Sequence, residues 1–198
     1  METIEKPINE QESLKLIHDM IHLAQKRFDD ESFMFLLWGW IATIAFLLGY
    51  IWIMLNKSEY IGLTWAVLGS AGGIVSGIYN RKKSKEKMAV TYMDEYMKYT
   101  WIAYLVAYFM VLIAMISLKK FDLINPLCLM IIGIPTFITG GLIKFRPLVY
   151  GGIIFWIGGA LTFVFRTEWQ FMICAITMIC GYLIPGYQLK ASHKNETV

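Results

Sequence analysis

Residues 33–55 read FMFLLWGWIATIAFLLGYIWIML, a stretch of 23 residues without a charged side chain. A helix needs about 20 apolar residues to cross the hydrocarbon core of a bilayer. Strands of a membrane barrel span about 10 residues and alternate apolar with polar positions, whereas this stretch is apolar on all sides. We therefore predict a transmembrane helix over residues 33–55.

Five further stretches of this kind follow, at 60–79, 99–118, 123–143, 147–165 and 169–189. All 18 basic and 15 acidic residues lie outside the six stretches, although the chain as a whole is 57% hydrophobic and 17% charged. A soluble domain does not separate its charges into blocks of this length, which excludes a soluble enzyme and a nucleic-acid-binding domain. The predicted fold class is an all-α integral membrane bundle of six transmembrane helices, surrounded by the lipid bilayer.

Lys and Arg are divided unevenly between the two sets of loops. Fourteen lie in the N-terminal segment, in the segments after the second and fourth spans and in the C-terminal tail, and four lie in the other loops. Cytoplasmic loops carry an excess of Lys and Arg. We therefore expect a multi-pass protein of the bacterial inner (plasma) membrane with both termini in the cytoplasm. No cleavable signal peptide is expected, because a polar, acidic stretch precedes the first apolar run.

The predicted organisation has three parts: a cytoplasmic segment at 1–32, a membrane domain at 33–189 and a cytoplasmic tail at 190–198. Residues 9–31 have the pattern of an amphipathic helix, whose polar face has too few basic residues for binding to anionic lipid. Residues 81–98 form a basic cytoplasmic segment that is predicted to be helical and to run into the third span. We expect the amphipathic helix to dock there, or to bind a second copy or a cytoplasmic protein partner. The candidate docking residues are Ile17, Ile21, Arg81, Lys82, Lys83 and Lys85.

A weak internal repeat marks the cytoplasmic ends of the second, fourth and sixth spans. Each has a β-branched residue, then Ser, Thr or Pro, then Gly, and a cation four residues later, starting at Val75, Ile138 and Ile184. The repeat suggests three helical hairpins related by duplication. The alternative is that glycines and terminal cations are simply common at span ends.

Two prolines interrupt the fourth and sixth spans. Proline removes a backbone hydrogen bond and kinks a helix, and broken helices at corresponding places point to a transport site. They are also ordinary in packed bundles. The candidate hinge or cavity residues are Pro135, Thr136, Gly140, Pro185 and Gly186.

The second span carries a glycine at every fourth position: Gly69, Gly73 and Gly77. Small residues at this spacing allow two helices to approach closely. The face is therefore a candidate helix-packing face, used either within the chain or as a seam between two copies.

The six spans contain no Asp, Glu, Lys, Arg or His. Proton relays and intramembrane catalysis need such groups at depth, so we expect no enzyme, no catalytic residue and no cofactor. His18 and His22 lie four residues apart and would both reach one metal ion, but a solvated helix face is the simpler interpretation. Cys128, Cys174 and Cys180 fall within spans and are interpreted as buried thiols.

The stretch from Glu12 to Trp40, together with Gly133–Phe137 and Lys144–Leu148, resembles a family of small uncharacterised bacterial six-span inner-membrane proteins. The resemblance extends over most of the chain and implies the six-span bundle, without an activity or a ligand.

The leading functional hypothesis is a non-enzymatic integral membrane protein that binds a partner or acts as a sensory or regulatory component. The alternative is a small transporter or channel subunit for a neutral or weakly polar ligand. A transporter needs a solvated cavity near the two prolines, whereas a partner-binding protein can be packed solid there.

Overall fold

The structure is a computed structural model that describes residues 10–86 and 92–194, with the side chains of residues 32–82 and 95–192. Every regular element within these ranges is helical. The elements are α1 (Glu10–Met54), α2 (Glu59–Glu86), α3 (Tyr92–Ser117), a 3₁₀ turn (Phe121–Leu123), α4 (Ile124–Leu142), α5 (Arg146–Val164), α6 (Thr167–Met178), a π-helical turn (Ile179–Leu183) and α7 (Ile184–Lys194).

Six helical stretches are long and apolar enough to cross a membrane, which confirms the all-α class and the number of candidate spans. The helix α6, the π turn and α7 together make the last stretch. The six run over Ser32–Met54, Glu59–Lys82, Glu95–Ser117, Phe121–Leu142, Arg146–Val164 and Thr167–Ser192.

The helix α1 differs from the predicted boundary at residues 32 and 33. It is one helix of 45 residues, about 68 Å long at 1.5 Å per residue, which is more than twice the thickness of a hydrocarbon core of about 30 Å. Residues 10–31 therefore continue the axis of the first span without a break. No glycine or proline lies between Glu10 and Trp38, so nothing in the backbone chemistry ends the helix at the membrane surface.

The basic segment at 81–98 is helical at both of its described ends, and its prediction as one helix is not tested between them. Its first residues belong to α2, which continues to Glu86, and its last residues belong to α3, which starts at Tyr92. Residues 87–91 lie outside the described residues. The sequence from Asn80 to Glu86 contains no helix breaker, which explains why α2 extends past the end of its apolar stretch.

Four of the six spans form the centre of the bundle, and two lie on its outside. The buried share of the apolar stretch is 39% for α1, α4 and α5 and 56% for the last span, but only 6% for α2 and 0% for α3. The helix α1 runs antiparallel to the last span, since Leu36 lies against Gly186, Gly39 against Leu183 and Gly49 against Phe171. Among the described residues, α2 packs mainly on α1 and α3 mainly on α4.

Three helices end in a residue with left-handed backbone conformation: Asn56 after α1, Lys119 after α3 and Lys144 after α4, with φ of 54°, 54° and 56°. In each case the N–H of the following residue reaches back five residues to a carbonyl of the last helical turn, as from Phe145 to Gly140 over 2.9 Å. These bonds satisfy carbonyls that a helix end leaves free. At each of these three helix ends the chain reverses its direction within a few residues.

Candidate functional site

The candidate hinge residues of α4 lie inside the bundle and touch their neighbours directly. Pro135 and Thr136 are fully buried, and the Thr136 hydroxyl bonds to the Ile132 carbonyl over 2.7 Å. A Cβ added to Gly140 would come within 2.6 Å of the backbone nitrogen of Val149. The backbones of α4 and α5 are therefore in contact at this point, and the space beside the proline is filled.

The candidate residues of the last span belong to a local change of helix type. The N–H of Ile184 bonds to the carbonyl of Ile179, five residues back, and this wider turn precedes Pro185. A proline ring collides with the carbonyl four residues before it in an α-helix, and the wider turn relieves that collision. Gly186 packs against the side chain of Leu36, where a Cβ would lie 3.1 Å away.

The structure brings both proline regions to one side chain that sequence reasoning did not single out. Tyr182, within the π turn, is 2% exposed. Its ring lies 5.3 Å from the ring of Phe35 and 4.9 Å from that of Phe155, and its hydroxyl is hydrogen-bonded to the Thr136 hydroxyl over 3.2 Å. Tyr182 thus joins α1, α4 and α5 to the last span. The only sequence signal for it is an aromatic residue just before a proline and a glycine.

The three glycines of the predicted packing face on α2 do not pack within the chain. A Cβ added to Gly69, Gly73 or Gly77 would meet nothing within 4 Å. The contact with α1 is made instead by Gly72, which lies against Ile41 and Trp38. Of the two uses predicted for this face, packing within the chain is not found among the described residues, because the four-residue spacing places the face about 100° around the helix from Gly72. Its use between two copies stays a prediction.

Four further glycines that allow close helix contact lie on α5, in two pairs seven residues apart. Gly152 and Gly159 face α4, and Gly151 and Gly158 face the last span. A Cβ on Gly151 would overlap the carbonyl oxygen of Gly181. Two glycine pairs at heptad spacing are a signal that sequence reasoning could have used, since each pair offers a small residue to both neighbours of one helix.

Two polar side chains inside the bundle keep an oxygen without a hydrogen-bond partner: Thr139 at Oγ1 and Gln170 at Oε1. Gln170 donates from Nε2 to the carbonyls of Thr162 and Phe165, over 3.0 and 3.4 Å. These carbonyls belong to the last turn of α5, where a helix leaves its acceptors free. Gln170 therefore closes the end of α5 with a side chain from α6.

The candidate docking residues are only partly covered by the structure. Arg81 and Lys82 are exposed at the end of α2. The side chains of Ile17, Ile21, Lys83 and Lys85 lie outside the described residues, so docking of the amphipathic helix on the basic segment stays a prediction.

The internal repeat stays a prediction. Its three glycines have different surroundings, since Gly77 faces open space whereas Gly140 and Gly186 are packed.

Titratable side chains do not gather into a metal site in the part of the chain with described side chains, where no group of three His, Cys, Asp or Glu lies close enough to hold an ion. His18 and His22 lie outside that part. Cys174 is buried, and Cys128 and Cys180 are partly buried, all as free thiols.

Comparisons with protein-family models, with curated proteins and with solved structures find no match for this chain.

Proposed function

We propose that this chain is a non-enzymatic integral protein of the bacterial inner membrane that works by binding a protein partner, as a sensory or regulatory component. The six apolar helices and the excess of Lys and Arg in one set of loops support the placement, with both termini in the cytoplasm. The observation that carries the proposal is the packing around Pro135, which lies inside the continuous helix α4, and Pro185, which follows the π turn.

That packing argues against the alternative, a transporter or channel subunit. A transport site needs space and polar groups at the broken helices. Pro135 and Pro185 are instead buried, with the α5 backbone beside Gly140 and Leu36 beside Gly186. The fixed contacts favour a solid core, so the function is expected at the surface of the bundle.

The cytoplasmic part of α1 is the surface that best suits a partner. Gly186 lies against Leu36, and Ser76 accepts a hydrogen bond from Trp38 over 3.1 Å. Both α7 and α2 run antiparallel to α1. Counted from these two contacts, Lys194 at the described end of α7 and Glu86 at that of α2 are both level with about residue 28 of α1. The earlier turns of α1 thus extend beyond both neighbouring helices as far as these are described.

The apolar positions of those turns are aligned with the buried side of the first span. At 100° per residue, positions 17 and 21 fall on the same side of α1 as Phe35 and Ala42, which are 2% and 7% exposed. An apolar stripe of this kind suits a groove or a helix of a partner. The partner is a cytoplasmic protein or a second copy of the chain.

The open glycine face of α2 supports self-association as a second mode of partner binding. Within the bilayer, helices associate through small residues that let backbones approach. Gly69, Gly73 and Gly77 offer such a face without a neighbour in the described chain. Gly73→Leu is expected to lower the oligomeric state in detergent, with Ile74→Leu on the adjacent position as the control.

Catalysis is not part of the proposal, because the six uncharged stretches predicted from the sequence hold no Asp, Glu, Lys, Arg or His to move a proton. No cofactor is proposed either.

Cysteine labelling tests the packed interior and the orientation together. In a background without the three native cysteines, Thr139→Cys is expected to resist a membrane-impermeant maleimide from either side, since Thr139 is 0% exposed. Ser58→Cys should react from the periplasmic side only, and Ser192→Cys only after the cytoplasmic side is opened. If Thr139→Cys were labelled as fast as Ser192→Cys, water would reach the interior of the bundle. The transporter would then be the better proposal. A reversed pattern at the two serines would overturn the orientation.

Photo-crosslinking tests the partner surface. A photoreactive amino acid at position 17 or 21 is expected to capture one protein of defined mass in native membranes, and one at His22, on the opposite side of the helix, is not. Ile21→Asp should abolish capture from position 17. Equal capture from positions 21 and 22 would mean that the stripe is not the binding surface.

A further inference from the structure

An apolar groove of about 280 Å³ lies between α1 and α2, on the side of α2 away from its glycine face. It begins at the turn that joins the two helices and runs along them for about two helical turns, or some 12 Å at 1.5 Å per residue. The lining residues are Leu48 and Trp52 of α1 and Tyr60, Leu63, Thr64, Val67 and Leu68 of α2.

The polar atoms at the mouth of the groove are already bonded to each other. The indole N–H of Trp52 donates to the Thr64 hydroxyl over 3.0 Å, and that hydroxyl donates to the Tyr60 carbonyl over 2.9 Å. The rings of Trp52 and Tyr60 lie 5.2 Å apart. An ordered water needs two to four polar partners, so an apolar space of this kind is not filled by water.

The turn above the groove carries one charge of each sign. The backbone N–H of Lys57 bonds to the Trp52 carbonyl over 2.8 Å, which fixes the Lys57 backbone at the end of α1. Glu59 follows two residues later as the first residue of α2, and both side chains are exposed. Tryptophan and tyrosine are enriched at the level of lipid headgroups. We therefore place Trp52 and Tyr60, and the turn with Lys57 and Glu59, at the depth where a lipid headgroup joins its acyl chains.

We propose that this groove is a binding site for one phospholipid with a phosphate and a primary ammonium in its headgroup, which is phosphatidylethanolamine. One acyl chain lies along Leu48 and Val67, the phosphate pairs with Lys57 and the ammonium with Glu59. The opposite charges at the turn commit the site to this lipid, and the length of about 12 Å and the apolar lining of the groove suit part of an acyl chain. The inference rests on the membrane placement of the proposed function and is independent of its partner.

Native mass spectrometry of the purified chain tests the site. The protein is exchanged into detergent with equal amounts of phosphatidylethanolamine, phosphatidylglycerol and phosphatidylcholine, and the retained lipids are counted. Val67→Trp fills the groove, whereas Ile74→Trp lies one heptad further along the same face and outside the lining; the two positions are similarly exposed, at 59% and 63%. The wild type should retain one phosphatidylethanolamine per chain.

Val67→Trp is expected to lower that retention below the wild type and below Ile74→Trp, since the indole would fill the space of the acyl chain and remove its van der Waals contacts with the groove. Ile74→Trp should retain the lipid, and Lys57→Glu should remove the preference for phosphatidylethanolamine. Equal retention by Val67→Trp and the wild type, or retention without headgroup preference in the wild type, would overturn the proposal. So would a dimer that Val67→Trp dissociates, because a second copy would then occupy the groove.

The assay uses the isolated chain, so a missing protein partner does not affect it. A failure of membrane placement would instead appear as absence of bound lipid from the wild type and from Ile74→Trp alike, together with absent labelling of Ser58→Cys.

Discussion

Gly152 on α5 and Gly73 on α2 offer a matched test of which glycines hold this bundle together. An alanine Cβ at position 152 would lie 2.7 Å from Cβ of Phe137, 2.8 Å from its backbone nitrogen and 2.9 Å from the carbonyl oxygen of Gly133, whereas one at position 73 would meet nothing within 4 Å. Ordinary contacts start at 3.4 Å. Because two of the three atoms belong to the backbone of α4, rotation of a side chain cannot relieve the overlap.

The magnitude follows from that geometry. The two helices must separate by about 0.5–0.7 Å, and a radial gap of about 0.5–1 Å already loses a quarter to a half of each van der Waals contact along the interface. Overpacking of this kind costs about 1–3 kcal/mol. Within a single chain, the substitution at position 73 changes only the helix propensity, which favours alanine by up to about 1 kcal/mol.

Unfolding of the two variants in mixed micelles, followed by circular dichroism during a titration with sodium dodecyl sulfate, measures the difference. Gly152→Ala is expected to lower the free energy of unfolding by about 2 kcal/mol, and thermal unfolding should show a midpoint lower by roughly 4–8 °C. Gly73→Ala should match or exceed the wild type. Equal stability of Gly152→Ala and Gly73→Ala would refute the inference that α4 and α5 meet through their backbones at Gly152.

Three further substitutions test other contacts of the bundle. Tyr182→Phe should cost only about 0.5–1.5 kcal/mol, since Thr136 keeps its bond to a backbone carbonyl, and an unfolding cost above that of Gly152→Ala would contradict this. Gln170→Leu should cost about 1–3 kcal/mol by leaving the carbonyl of Thr162 unpaired, again measured by detergent titration; an unchanged unfolding curve would show that the side chain does not close α5. Lys144→Gly should raise stability by up to about 1 kcal/mol, because glycine adopts the left-handed conformation without the cost that a side chain carries there, and a lower thermal midpoint would argue against this.

The spans were predictable because hydropathy is a property of each short stretch. The predicted stretch 147–165 and the observed α5 (Arg146–Val164) differ by one residue at each end. The continuity of α1 through residues 31–33 was not predicted, because a change from polar to apolar composition marks the membrane surface but does not break a helix. The absence of glycine and proline between Glu10 and Trp38 was the only feature of the sequence that indicated a continuous helix.

The packing roles of the glycines could not be read in the same way. Gly73 and Gly152 both lie in apolar helices beside other small residues, and spacing shows only which residues share a face. Whether a face meets a neighbour depends on which helices are adjacent. For this reason the sequence left open whether Gly69, Gly73 and Gly77 pack within the chain, where Gly72 makes the contact with α1, and Tyr182 was overlooked.

The sequence by itself determined the class of the protein and the positions of six apolar helices, because each stretch of about 20 apolar residues satisfies its own backbone hydrogen bonds and needs no partner to be recognised. The tertiary structure decided which side of each helix is buried. It placed α5 between α4 and the last span through its glycine pairs, and it placed Tyr182 beside Phe35, Phe155 and Thr136. Those contacts join residues as many as 147 positions apart, so no local pattern contains them.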